Sequence, residues 1–170
     1  KDYGFMLRTD AAYAEKAKRV SALAKDISEY VAGLDIAPAA EASNLTVAYH
    51  AACSLQHGQR VLREPKNALA RAGFSVRDVP EGHICCGSAG TYNMLQPDIS
   101  ARLRERKAAN IERLDPDVIA TGNLGCMMQI AQSTRIPLVH TVELLDWSDG
   151  GPMPAALEHI ERVRSSRTSA

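Results

Sequence analysis

No charge of one sign predominates in this chain: twenty Lys and Arg stand against twenty Asp and Glu in 170 residues. Such a balanced surface has no field to draw it to nucleic acid or an acidic membrane, so neither is expected as a partner. No stretch comes near the roughly 18–20 unbroken apolar residues of a membrane-spanning helix. The opening residues KDYGFMLRTD contain no apolar core of a secretory signal. The chain starts at Lys1 rather than Met and reads as a piece of a longer protein. Internal repeats, low-complexity tracts, a phosphate-cradling glycine loop, a nucleophile–base pair and a hydrolytic carboxylate cluster are also lacking, so no catalytic residue is assigned. Cysteines are few: Cys53, Cys85, Cys86 and Cys126. Four are too few for a disulfide framework, and nothing points to export. A cytoplasmic setting is expected, where such thiols serve as metal ligands or redox groups.

What is present is organised in three parts. Residues 1–34 read as a docking helix, residues 45–150 as an α/β domain, and residues 151–170 as a terminal helix and frayed tail. In the first part Tyr13, Ala17, Val20, Ala24, Ile27, Val31 and Leu34 recur at steps of three and four, predicting one long helix from about Asp10 to Ala32. Residues 35–44 look like a linker. Strands are expected at Leu45–His50, Phe74–Val79, Asp117–Thr121 and Pro137–His140. Helices are expected around Val61–Arg71, Pro97–Arg113, Cys126–Gln132 and Val142–Trp147, the second with Ile99, Leu103 and Ile111 facing inward. An amphipathic helix with Leu157, Ile160 and Val163 closes the chain.

Strand–helix alternation with short connections implies a small parallel, Rossmann-like sheet of about four strands flanked by helices, with the long N-terminal helix added. In such a sheet every strand points its C-terminal end to one rim, where ligands bind. Cys53 follows the first strand, Cys85 and Cys86 the second, and Cys126 the third. All four thiols are therefore expected at one edge. The plainer alternative is that each is a small buried hydrophobe, but their shared position in the βα connections favours a metal site.

Four thiolates suit a tetrahedral zinc ion or the corners of an iron–sulfur cluster. Adjacent residues have Cα atoms about 3.8 Å apart. A vicinal pair therefore serves a multi-iron centre more easily than the ring geometry of a C-x-x-C knuckle. Gly87 and Gly90 free the backbone to approach an inorganic core, with amides able to donate to its sulfides. Thiol–disulfide exchange at Cys85 and Cys86 is a third option, disfavoured because a vicinal bridge is strained.

The order Cys53, Cys85-Cys86-Gly87, Cys126 resembles the cysteine-rich CCG domain family, which includes a heterodisulfide reductase component and the iron–sulfur subunits of glycolate and lactate oxidation complexes. CCGSAGTYNMLQP (85–97) is most similar to the C-terminal domain of iron–sulfur subunits of bacterial glycolate oxidase, and REP (63–65), Gly125-Cys126 and HTVELLD (140–146) fit as well. The resemblance spans about residues 1–150. It implies an electron-transfer domain relaying electrons from flavoprotein subunits towards quinone, beside a ferredoxin-like segment and a first CCG domain, with a location at most peripheral on the inner face of the membrane. Two positions depart from the family pattern. The final C-x-x-C reads Cys126-Met127-Met128-Gln129, and Ala52-Cys53-Ser54 replaces Pro-Cys-His. The family's five-thiol noncubane centre thus lacks one ligand. A [4Fe–4S] cluster on Cys53, Cys85, Cys86 and Cys126 is expected instead, with a zinc-stabilised, non-redox interaction module as the alternative.

Other polar residues fall near the same rim. His50, His57, His83 and His140 are each most simply hydrogen-bonded histidines, with His83 and His140 of most interest because they adjoin the Cys pair and close the fourth strand. Asn93 and Tyr92 follow the glycine turn and could orient a substrate or cap a helix. Arg102, Arg104, Arg106, Lys107 and Arg113 form a mostly solvated basic side, with Lys107 a candidate charge partner for the site. Met127 and Met128 would cover the centre.

Overall fold

Strand periodicity and loop chemistry build a four-stranded, wholly parallel sheet. The computed structural model describes residues 1–34, 45–158 and 160. The expected linker at 35–44 and the tail beyond Ile160, Val163 included, lie outside the described residues. The strands are β1 (Thr46–Tyr49), β2 (Ser75–Asp78), β3 (Val118–Thr121) and β4 (Leu138–His140). All pair in parallel, in the order β2-β1-β3-β4. The register sets Val47 against Val118 and Tyr49 against Ala120.

Alternation along the strands divides the interior between two faces. Val47, Tyr49, Val118, Ala120 and Val139 face one side, where α4 (Glu64–Arg71) and α8 (Thr141–Ser148) supply Leu69, Leu144 and Trp147. Ala48 and Ile119 face the other, against Ile111 of α6 (Pro97–Glu112), which follows the short α5 (Tyr92–Leu95), Ile130 of α7 (Leu124–Ile130), and Cys86 and Cys126. The cysteine loops are thus part of one hydrophobic core. A short 3₁₀ turn, Ala155–Leu157, follows α8 and buries Leu157 in the first core.

Two expectations change. The long N-terminal helix is three short ones: α1 (Tyr3–Met6), α2 (Ala14–Leu23) and α3 (Ile27–Val31). Ala24 turns extended at ψ 114°, and Asp26 begins a new helix through a reciprocal capping box with Glu29. A D-x-x-E start signal inside the apolar stripe outweighs the stripe's periodicity. Only Ala17 of that stripe is buried, and Tyr13, Val20 and Ile27 remain exposed. In α6, Ile99 also faces outward, while Ser100, Lys107, Ala108, Asn110 and Ile111 form the buried side. The Ser100 hydroxyl donates to the Gly87 carbonyl at 2.8 Å, which turns Ile99 away from the sheet.

Candidate metal centre

The strand order reverses direction between β1 and β3, and the crevice beyond the carboxyl ends of those two strands is where a doubly wound sheet receives ligands. His50 extends β1 by one residue, its amide donating to the Ala120 carbonyl at 2.9 Å. Period-two alternation puts its side chain on the same face as Ala48, the face that packs Cys86 and Cys126. Cys53 then opens a short π-helical segment, Ser54–Gln59, an uncommon widening that recurs at functional sites.

The Cys pair arrives in a loop clamped by α6. Glu81 adopts a left-handed φ of 52°, uncommon for a residue with a side chain. Three α6 side chains hold it there. Arg106 forms an ion pair with its carboxylate, Asn110 donates to the carboxylate at 2.8 Å and to the Pro80 carbonyl at 3.2 Å, and Lys107 Nζ donates to the Glu81 carbonyl at 3.0 Å. Beyond the turn, Gly87 has φ 93°, and a Cβ there would lie 2.5 Å from the Ser100 carbonyl oxygen. Glycine is required on both counts. Its amide donates to Cys85 Sγ at 3.3 Å. Cys126 sits in the first turn of α7, where the Asn123 side chain accepts its amide at 3.0 Å and caps the helix.

These loops converge. A ring nitrogen of His50 and the sulfurs of Cys86 and Cys126 all lie within 4.8 Å of one another, and all three residues are buried. Among the described residues, neither ring nitrogen of His50 has a hydrogen-bond partner. Cys53 and Cys85 are half-buried beside them. The thiols perturb one another as neighbours must. The Cys126 thiol donating to Cys86 holds the Cys86 thiol down at about 4, against its burial and with help from His50 and the Ser88 amide. The same contact, together with burial, pushes Cys126 far up. Burial and the charge of Cys85 raise Cys53 to about 11, with Lys107 opposing. Lys107, only 1% exposed, is pulled down by burial and pushed back up by Cys86, Cys53 and Cys85. A buried cation therefore stands beside Cys53, Cys85 and Cys86.

The remaining candidates divide. Gly87 and Lys107 reach the site. Asn93 is one step removed, its amide 3.5 Å from the Gln129 side-chain oxygen. Gln129, where the family pattern has a thiol, is itself buried, and its amide donates to Ser100 at 2.8 Å. Gly90 has φ 64°, but open space surrounds it, so it serves a turn and not a close approach. His83 is exposed, and its carbonyl meets His57 Nε2 at 3.2 Å. His140 caps α8, its Nδ1 accepting the Val142 amide at 3.3 Å. Met128 is 64% exposed and covers nothing. Reading the sequence missed His50 as the histidine among the sulfurs, and missed Glu81, Ser100, Asn123 and Gln129 as supports. For His50 the available signal was its position two residues after Ala48 on one strand face.

A family described as a cysteine-rich domain, CCG, matches residues 47–131, from β1 through α7, and so takes in His50 and all four cysteines. The chain belongs to the CCG family. This CCG domain is 40% identical over 146 residues to the glycolate oxidase iron-sulfur subunit of Escherichia coli (strain K12), covering 86% of this chain and 36% of that protein. It is 26% identical over 153 residues to lactate utilization protein A of Bacillus licheniformis, covering 86% of this chain and 64% of the relative. A probable glycolate oxidase iron-sulfur subunit of Bacillus subtilis (strain 168) is 27% identical over 154 residues, 85% of this chain and 35% of that protein. The CCG chain therefore spans less than two thirds of each of these relatives. The side chains gathered here, the His50 imidazole with Cys86 and Cys126 and the half-buried Cys53 and Cys85 beside them, are of types that could hold a thiophilic metal and not a hard oxygen-seeking cation.

Proposed function

We propose that this CCG domain is an iron–sulfur electron-transfer domain of a glycolate-oxidase-type complex, in which flavoprotein subunits oxidise a 2-hydroxy acid and electrons pass onward to quinone. The observation that carries the reading is the convergence of Cys53, Cys85, Cys86 and Cys126 at the β1/β3 switch point. The names of the relatives, iron-sulfur subunits among them, agree with it. The four thiols would hold a [4Fe–4S] cluster, which when bound supplies a one-electron relay. The chain's own residues set its surroundings. Cys86 and Cys126 lie in the buried core, while Cys53 and Cys85 remain partly exposed, which leaves one side open to a redox partner. The Gly87 amide donates to the Cys85 sulfur, and Lys107 offsets part of the thiolate charge.

In this reading the α/β part, 45–150, carries the centre, while residues 1–34 dock a neighbour and 151–170 close the domain. The neighbours are a ferredoxin-like segment and a first CCG domain of the same subunit, besides the flavoprotein. No helix among the described residues is long and apolar enough to cross a membrane. Delivery of electrons to quinone would set the domain on the cytoplasmic side, peripheral to the membrane that holds the acceptor.

Anaerobic purification tests the proposal. A brown protein with broad visible absorbance, iron and acid-labile sulfide is the expected result. A colourless protein carrying one zinc ion per chain would replace electron transfer with a structural, non-redox role. Cys86→Ser should release the metal in either case and so locates the site.

A further inference from the structure

The least explained group in the molecule is His50. It is 1% exposed, both ring nitrogens lack a hydrogen-bond partner among the described residues, and the residue closes the strand at the switch point. A buried polar group left unpaired costs on the order of 1–3 kcal/mol, and an imidazole has two nitrogens to satisfy. The neighbouring Thr121 hydroxyl, at the end of β3 and one step beyond the paired Tyr49 and Ala120, is also buried and unpaired. Unsatisfied groups therefore cluster where the thiols converge.

The other four histidines and Gln129 give the contrast. His140 is occupied as a helix cap, and His57 and His83 stand at the surface. Residue 159 carries the fifth histidine and lies outside the described residues. Gln129, which replaces the family's last thiol, spends its amide on Ser100. It is tied into a chain running from Asn93 through Gln129 and Ser100 to the Gly87 carbonyl. Gln129 therefore braces the loop and leaves one donor missing from the five-donor pattern. His50 is within 4.8 Å of both buried sulfurs.

We propose that His50 is a metal ligand, binding through a ring nitrogen to the centre held by Cys86 and Cys126 and supplying the donor that Gln129 lacks. The proposal rests on the metal-centre reading above and makes the centre one of five donors, four thiolates and a nitrogen, in place of a cluster held by four thiolates alone. Imidazole is a good ligand for both iron and zinc. It brings no negative charge, so a mixed set of four thiolates and one imidazole is less negative than five thiolates. Replacing thiolate by histidine raises the potential of iron–sulfur centres, and the same direction applies here.

The test is pulsed electron paramagnetic resonance on the protein purified anaerobically and brought to a paramagnetic state, with natural-abundance and ¹⁵N-histidine-labelled samples. The expected result is a strong ¹⁴N coupling of a directly bound imidazole, replaced by a ¹⁵N doublet on labelling and lost in His50→Cys. That variant should keep its iron and sulfide and show a lower midpoint potential. His50→Ala should lose the coupling too. If it fails to fold, the labelled wild-type protein and His50→Cys still decide the matter. Iron and sulfide present without a strongly coupled nitrogen would overturn the ligand while leaving the cluster standing. A weak coupling that survives in a distant shell would make His50 only a hydrogen-bond donor to Cys86, and would overturn it equally. If zinc alone is bound, X-ray absorption replaces resonance. A nitrogen scatterer at about 2.0–2.1 Å beside sulfur at about 2.3 Å supports His50 although the electron-transfer reading falls, and an all-sulfur shell overturns both. Protein that binds neither metal under excess iron, sulfide and zinc overturns both as well.

Discussion

Lys107 holds an ammonium group in a place where burial opposes it and thiols favour it. Its stem packs in the sheet-facing side of α6 and its head is held by the Glu81 carbonyl. Lys107→Met keeps most of the stem and deletes the charge. With a cluster bound, that loss should shift the midpoint potential downward, because a nearby cation favours the more negative, reduced state. Redox titration of wild type and variant checks this, and an unchanged potential would remove Lys107 from the electrostatics of the site. Gly87 is constrained differently. Its positive φ and the nearby Ser100 carbonyl together forbid a side chain. Gly87→Ala is expected to lower unfolding stability by about 1–3 kcal/mol, the range for a strained backbone position, and to reduce metal retention. Denaturation of the metal-free protein separates the two effects.

At the scale of elements, each thiol is placed by a specific cap or clamp. Asn123 caps α7 and fixes the Cys126 amide. Asn123→Ala should cost about 0.5–2 kcal/mol and Asn123→Asp much less, by equilibrium unfolding. The Glu81 clamp has a pH signature. Hydrogen bonds from Arg106 and Asn110 hold the Glu81 carboxyl at about 2, well below its ordinary 4.5. A carboxylate depressed in the folded state contributes stability that is whole above about 4.5 and is lost as pH falls through about 2. Stability measured from pH 6 to 2 should therefore decline less steeply in Glu81→Gln than in wild type, from a lower plateau. Parallel curves would show that the clamp acts by shape alone. Asp26 illustrates the same scale at the other end of the chain. Its capping box with Glu29 ends one helix and starts another, although an apolar stripe runs through both.

For the whole molecule, the two faces of the sheet form two cores, and only one contains cysteines. Ile119, fully buried beneath Cys86 and Cys126 in that second core, should prove costly to truncate. Ile119→Ala is expected to destabilise by about 2–5 kcal/mol, whereas Leu23→Ala on exposed α2 should stay within about 0.5 kcal/mol. Thermal or urea unfolding of both variants makes the comparison. Equal effects would mean that the N-terminal helices are buried against something in solution.

The four strands and most helices are legible in the chain because β-branched runs, Pro97 and the glycine turns are local signals, each acting within a few residues. So is the gathering of thiols at one rim, because a parallel sheet sends every strand end the same way. Residue order alone thus points to the candidate thiols and to the edge at which they stand. Which histidine joins them is a matter of three-dimensional packing. His83 is nearest to the Cys pair along the chain, yet it points to water, and His140 serves a helix. His50 enters because β3 lies beside β1, which brings the Cys126 loop over the face that Ala48 and His50 share. Strand order and helix-to-face assignment are long-range choices, fixed by how the two cores close, and no short stretch of residues encodes them.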